Sequence, residues 1–338
     1  MKVLICGGFG YIGSQLLYDI SKNVYYDDWD ITVIDNWSYG RGMPPVYEYF
    51  KERINKFQLH CLDISDNKTS SKEILTKEIA QSEFIINLCS LTQIPDTFLH
   101  EKYILYGVKN LAELIKKYGE RVKKIIDISS TSIYGSAKKG NTNWLEPYSE
   151  EVYPNPETSL HNYASNKLLA EKVWQSEDYN SLPFTSLRLS TNFGYSIGMR
   201  YNLFINEFLI NSISGRKTVI PGAPDNYRPF IHVSDTAGII LYLLENCYET
   251  NGLVLNIGDS NLNPQLGELF KDLDKLLVDE YDISSNYHFA VEDDKKALQE
   301  SYIIDFKRFN SILDYSLKYD FISGSRHFLE SIISNKII

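Results

Sequence analysis

A short apolar run, Val3-Leu4-Ile5-Cys6, breaks into Gly7-Gly8-Phe9-Gly10-Tyr11-Ile12-Gly13 and then into an amphipathic stretch from Ile12 to about Lys22. This succession of strand, glycine turn and helix constrains the fold more than any other feature. The pattern then repeats. Ile31 to Ile34, Phe57 to Cys61, Glu83 to Leu88, Lys124 to Ser129 and Phe184 to Leu189 read as strands, with helical periodicity near 70–80, 98–118 and 162–179. Continuous apolar strands alternating with helices predict a parallel sheet covered on both faces, a doubly wound α/β fold. In such a sheet ligands bind at the carboxyl ends of the strands.

After Leu189 the pattern loosens, and Gly, Pro and Asn punctuate 192–229 around one expected helix, Asn202 to Ser214. Strand and helix return at Phe230 to Val233 and Asp235 to Glu245, and again at Leu253 to Ile257. The remainder reads as mostly helical, with short strands at Tyr287 to Ala290 and Tyr302 to Ile304. Two interleaved lobes are expected: a nucleotide-binding lobe of 1–190 plus about 230–260, and a smaller α/β lobe of 191–229 and 261–338.

The context around the first turn gives its glycines a purpose. Gly7 can make the tight turn, Gly10 lets the backbone approach a pyrophosphate, and Gly13 lets the helix pack closely. The helix N-terminus then offers free N–H groups and partial positive charge to an anion. Asp35 ends the second strand about twenty residues on, where a carboxylate accepts from both ribose hydroxyls. It would repel the extra phosphate of NADP, so NAD is the expected cofactor, with Arg41 in the same loop keeping NADP as an alternative. Asp63 closes the third strand and can reach an adenine edge or cap a helix.

The 338 residues carry a formal charge of −10, which argues against general affinity for nucleic acid or an anionic membrane. A strand starting at Lys2 leaves no room for a cleavable leader, and no apolar run is long enough to span a bilayer. The cysteines at 6, 61, 89 and 247 lack metal-ligand spacing and sit among apolar neighbours. They are expected to be buried free thiols in a reducing cytoplasm, and no metal is expected.

Tyr163 and Lys167 lie one turn apart on a predicted helix and share a face. Ser129-Ser130-Thr131-Ser132 ends the fifth strand, at the edge where a nicotinamide is expected. Tyrosine titrates near pH 10; lowering that by about 3 units takes roughly 4 kcal/mol of differential stabilisation of the phenolate. Lys167 and a positive nicotinamide ring can supply it in a site shielded from water. Ser130 can bond the same substrate oxygen while Tyr163 removes the alcohol proton.

With GGFGYIG, VIDN, LDI at 62–64, SSTSIYG, YASNK, LRLSTNFGY at 187–195, RPFIHVSD at 228–235, NIG at 256–258 and SYIIDFKRF at 301–309, the sequence resembles the short-chain dehydrogenase/reductase superfamily. The likeness is to its extended, nucleotide-sugar epimerase/dehydratase branch and runs from Lys2 to about Glu330. Cys6 in place of a Thr, Phe9 in place of a small residue, and Cys89-Ser90 in place of an Ala pair are mild departures. The resemblance implies a Rossmann-type nucleotide lobe, NAD, and a catalytic trio of Ser130, Tyr163 and Lys167. Lys167 also bonds the nicotinamide ribose. It extends the cofactor set to Tyr11, Ile12, Asn36, Ile64 and Leu88. On the substrate side it implies Asn192 and Arg228 at the diphosphate, Asn202 and Leu203 against the nucleotide, and Ser130 and Thr131 at the sugar. An arginine beside Pro229 in an acidic chain suits a bidentate phosphate contact, or else a surface ion pair.

Within that branch, 4,6-dehydratases carry an Asp-Glu pair where this chain has Thr131 and Ser132, and decarboxylases keep a glutamate at the Ser132 position. The 3,5-epimerase/reductases carry a cysteine there and a histidine soon after the Asn192 region; this chain has neither. What remains is equipment for oxidising one secondary alcohol, most often at C4. An epimerase and a dehydrogenase releasing the keto sugar, as on GDP-heptose, both fit, and a non-catalytic NAD binder ranks below them. The resemblance also implies a homodimer through helices at roughly 98–118 and 161–179, faces that ordinary core packing can equally use.

Overall fold

The computed structural model describes residues 1–38, 43–91, 97–135, 146–153, 162–246, 249–290 and 301–334, so Arg41 and Cys247 lie outside the described residues. Strands β1 (Lys2–Cys6), β2 (Asp30–Asp35), β3 (Lys56–Cys61), β4 (Phe84–Asn87), β5 (Lys124–Ser130), β6 (Phe184–Leu189) and β10 (Leu253–Ile257) form one parallel sheet. Its order is β3-β2-β1-β4-β5-β6-β10. Apolar runs on the inner strands reflect burial on both faces, whereas edge strand β3 alternates exposed and half-buried residues.

Helices α1 (Tyr11–Lys22), α2 (Met43–Lys51), α8 (Val233–Glu245) and α10 (Lys307–Ile312) cover one face, where Leu16, Phe50, Ile240 and Phe309 meet Val3, Ile5 and Leu255. Helices α3 (Thr69–Gln81), α5 (Gly107–Tyr118) and α6 (Asn162–Gln175) cover the other, where Ile79, Leu111 and Trp174 meet Leu4, Ile85 and Ile125. Strand order reverses between β1 and β4, which opens a crevice at their carboxyl ends. Leu88 N–H still donates to the Cys6 carbonyl at 2.8 Å, so the two strand ends stay in register at its mouth.

The smaller lobe pairs β8 (Thr218–Pro221) with β11 (Tyr287–Ala290), both capped by α7 (Phe204–Ile213), α9 (Leu266–Tyr281) and α11 (Phe321–Ser334). Its core centres on Phe208, Phe270, Leu273 and Phe328, all fully buried. A second short pair joins β7 (Thr191–Phe193) to β9 (Phe230–His232).

Several expectations shift. The helix expected over 98–118 is broken into α4 (Thr97–His100), a π-helical turn at Glu101–Tyr106, and α5. Tyr302 to Ile304 forms no strand but a single bridge, Ile304 to Tyr148. Phe309 and Leu313, expected in the smaller lobe, pack into the main-sheet core. Cys61 is exposed rather than buried, because it ends the edge strand.

Candidate active site

Gly7 sits at φ +78°, and a Cβ there would stand 3.0 Å from backbone atoms of Leu88 and Cys89, so turn and crevice both demand glycine. Gly13 is required for packing alone: a Cβ would lie 2.5 Å from the Gly8 carbonyl oxygen. Gly10 differs. A Cβ on it would meet only the Gly7 oxygen, at 3.5 Å, and its φ of −71° suits any residue. Among the described residues, nothing in the packing calls for glycine at position 10, which leaves the backbone open to an external group beside the free N–H groups of the α1 N-terminus.

That open face belongs to a cleft that is partly continuous with solvent. Gly7, Gly10, Asp35, Asn36, Asp63, Ile64 and Leu88 line it. Asp35 is held by backbone donors, Phe9 N–H to Oδ2 at 3.0 Å and Trp37 N–H to Oδ1 at 2.9 Å. Each carboxylate oxygen keeps a lone pair for a ribose hydroxyl. Burial raises this carboxyl above its usual range, and the two N–H donors partly reverse that. Asp63 accepts from Ser65 N–H at 2.8 Å and Oγ at 2.6 Å, and meets Lys102 Nζ at 3.0 Å. Glycine turn, acidic acceptor and apolar flank fit the adenosine and pyrophosphate of a dinucleotide such as NAD.

The sequence reading missed Ser38, Leu62, Cys89, Ser90, Leu91 and Tyr103, which also line the cleft. Tyr103 arrives on the π-helical turn, a geometry without a sequence signature, though such turns recur at functional sites. Burial holds the Cys89 thiol well above its usual range and pushes Cys6 up to about 12, so neither is a thiolate nucleophile near neutrality.

Tyr11, Ile12 and Gly13 form the first turn of α1. The Tyr11 hydroxyl donates to the Gly194 carbonyl at 2.6 Å and accepts from Asn206 Nδ2 at 3.2 Å. Ser14 and Ser196 hydroxyls meet at 2.6 Å, and Gly198 N–H donates to Ser14 Oγ at 2.9 Å. The 194–198 loop of the smaller lobe is thereby clamped to the helix that the glycine turn opens.

Ser130 ends β5, and its Oγ accepts from Ser132 N–H at 3.2 Å and Ser132 Oγ at 2.9 Å. Lys167, 3% exposed on α6, donates from Nζ to the Ile128 carbonyl at 2.5 Å and stands 6.0 Å from the Tyr163 ring centroid. His100 packs edge-on against the Tyr163 ring at 6.2 Å. Thr131 is turned inward: its hydroxyl donates to the Leu189 carbonyl at 3.2 Å, and 1% of the residue is exposed.

Asn192 lies on β7, where it accepts from Thr236 Oγ1 at 2.7 Å. Asn202 is exposed, Leu203 caps α7, and the Arg228 guanidinium lies over the Phe204 ring at 4.5 Å.

We expect Gly10→Ala and Gly13→Ala to separate ligand from packing. The first should move the urea unfolding free energy by no more than about 0.5 kcal/mol and weaken NAD binding about tenfold or more by calorimetry. The second should cost about 1–3 kcal/mol of stability. Equal effects of the two on both measurements would contradict the division.

The model of the NAD dependent epimerase/dehydratase family matches residues 3–258. UDP-N-acetyl-alpha-D-glucosaminuronate decarboxylase of Bacillus cytotoxicus is 25% identical over 285 residues, covering 81% of this chain and 80% of that one. GDP-6-deoxy-D-talose 4-dehydrogenase of Aggregatibacter actinomycetemcomitans is 22% identical over 301 residues, 87% of this chain and 86% of that one. In fold, the chain matches UDP-glucuronic acid 4-epimerase from Bacillus cereus, solved with UDP-glucuronic acid and NAD. The TM-score is 0.79 at 20% identity, over 99% of this chain and 100% of the other. With a family match running from the first strand through the last strand of the main sheet, the chain belongs to the NAD dependent epimerase/dehydratase family.

Proposed function

We propose that the protein uses NAD to oxidise a secondary alcohol, at C4, of a nucleotide-diphosphate sugar, and that it is an epimerase of polysaccharide sugar biosynthesis. The observation that carries this reading is that Lys167, one turn from Tyr163 on α6, bonds the Ile128 carbonyl two residues before Ser130, on the same sheet whose first strands end at the cleft lined by Gly7, Gly10 and Asp35. When bound, NAD supplies the hydride acceptor. Tyr163 takes the proton of the sugar hydroxyl, and Ser130 donates to the same oxygen. Lys167 Nζ, 6.0 Å from the Tyr163 ring centroid, brings a positive charge to the neighbourhood of the phenol.

The equipment stops there. Thr131 and Ser132, the two residues that follow Ser130, carry hydroxyls and no carboxyl, so neither offers an acid or base for eliminating water. A keto sugar that turns over and regains hydrogen on its other face gives epimerisation. A second reading, a 4-dehydrogenase that releases the keto sugar, draws support from the long match to GDP-6-deoxy-D-talose 4-dehydrogenase. With either goes a homodimer through α5 and α6, whose shared groove is lined by Leu105, Lys109, Leu169 and Val173. A cytoplasmic setting also goes with it, in keeping with free thiols at Cys6, Cys61 and Cys89.

The test is product analysis by NMR after incubation with UDP-, GDP-, CDP- and dTDP-linked hexoses, alongside assay of NAD released on denaturation. A C4-inverted sugar without added NAD supports epimerisation, and a keto sugar formed with stoichiometric NADH supports the second reading. Unchanged sugars throughout, from protein that binds NAD, would rule out both.

A further inference from the structure

Ser130 Oγ is hydrogen-bonded in an unusual way for a group expected to serve a substrate. A hydroxyl has one proton and two lone pairs. Both lone pairs are occupied from one residue: the Ser132 N–H donates at 3.2 Å, and the Ser132 hydroxyl donates at 2.9 Å. The backbone bond is the cap of the 3-10 turn Thr131–Tyr134, which begins where β5 ends. The side-chain bond is extra, and Ser132 alone can make it. Thr131, between the two serines, is committed to the Leu189 carbonyl and takes no part.

We infer that Ser132 is a positioning residue that makes Ser130 an obligate hydrogen-bond donor toward the reacting oxygen, an inference that rests on the alcohol-oxidation reading above. With both acceptor positions filled, the Ser130 proton has a single free direction, away from the turn. The group cannot accept the proton of the sugar hydroxyl, so that proton goes to Tyr163. A fixed donor aimed at an oxygen gaining negative charge stabilises the transition state without reorganising first. Without Ser132 Oγ, one lone pair of Ser130 is vacated and the hydroxyl rotates among alternatives, including acceptance from the substrate.

The experiment is a double-mutant cycle on the full-length protein, with reduced nicotinamide formed in a single turnover as the readout. The probe is the most active of the UDP-, GDP-, CDP- and dTDP-linked hexoses. Ser132→Ala should slow turnover about tenfold, below the 10²–10³-fold that follows loss of an oxyanion donor itself. KM and the calorimetric Kd for NAD should stay within about twofold of the parent protein, since ground-state binding is not at issue. Ser132→Thr keeps the hydroxyl and should recover the rate to within about threefold. In a Ser130→Ala background, Ser132→Ala should change nothing further, because the group it orients is gone. A repeated tenfold loss in that background would assign Ser132 a role independent of Ser130 and overturn the inference. So would a Ser132→Ala protein as fast as the parent. If the parent itself reduces no nicotinamide with any probe, the functional reading falls and this inference with it, an outcome distinct from the other two.

Discussion

Tyr163→Phe protein is expected to fold, bind NAD with near-parental affinity, and lose about 10²- to 10⁴-fold in hydride transfer, the range attached to a positioned general acid–base. The substitution removes one oxygen and keeps the ring. That ring is what packs edge-on against His100, at 6.2 Å, so the helix retains its seat. The cleft is lined by Gly7, Gly10, Asp35 and Leu88 and does not need the phenol. Lys167 keeps its bond to the Ile128 carbonyl, since that contact is made by the ammonium and not by the tyrosine. A variant within tenfold of the parent would remove Tyr163 from the chemistry. One that fails to bind NAD would give it a structural part instead.

The sheet was legible because burial on both faces forces continuous apolar strands, and that pattern survives in sequence without an alignment. The glycine turn was legible for the same kind of reason: Gly7 and Gly13 are required by positive φ and by close approach, physical demands only glycine meets. Elements built from irregular geometry escaped. The π-helical turn that carries Tyr103 into the cleft looks like ordinary helix in its residue pattern. The short strands Thr191–Phe193 and Thr218–Pro221 are too brief to show a period. The clamp of Ser196 and Gly198 onto Ser14 joins positions 182 and 184 residues apart, and no local pattern encodes such a pairing. The Ser-Ser-Thr-Ser run displays four hydroxyls of equal standing in sequence. Only the turn distinguishes their duties: Ser129 donates to Glu171, Ser130 accepts twice, Thr131 faces Leu189 and Ser132 donates.

One level below Ser130, register across three strands assembles a buried ionic layer. Ser129 on β5 and Asn256 on β10 are both opposite Arg188 on β6, and Ser130 follows opposite Leu189. The Arg188 and Glu171 side chains are 0% exposed. The guanidinium grips the carboxylate with Nε to Oε1 at 3.0 Å and Nη2 to Oε2 at 2.7 Å. Its Nη1 donates to the Tyr134 hydroxyl at 2.7 Å, which passes its own proton to Asn256 Oδ1 at 2.7 Å. Such a pair adds little net stability over an apolar substitute, because desolvating two charges offsets their attraction, yet breaking it leaves one charge buried without its partner. Arg188→Leu should therefore cost about 3–5 kcal/mol, a shift of roughly 10²- to 10⁴-fold in the folding equilibrium, read from urea unfolding. The paired replacement Glu171→Leu with Arg188→Leu should cost several kcal/mol less than Arg188→Leu alone, since no orphan charge remains. Turnover should not recover with it: Glu171 is the acceptor that holds Ser129, and Ser129 is the residue through which the sheet fixes Ser130. If the double variant proved less stable than Arg188→Leu alone, the layer would be held by something other than mutual neutralisation. If it regained full turnover, the ionic layer would have no hand in placing the serine above it.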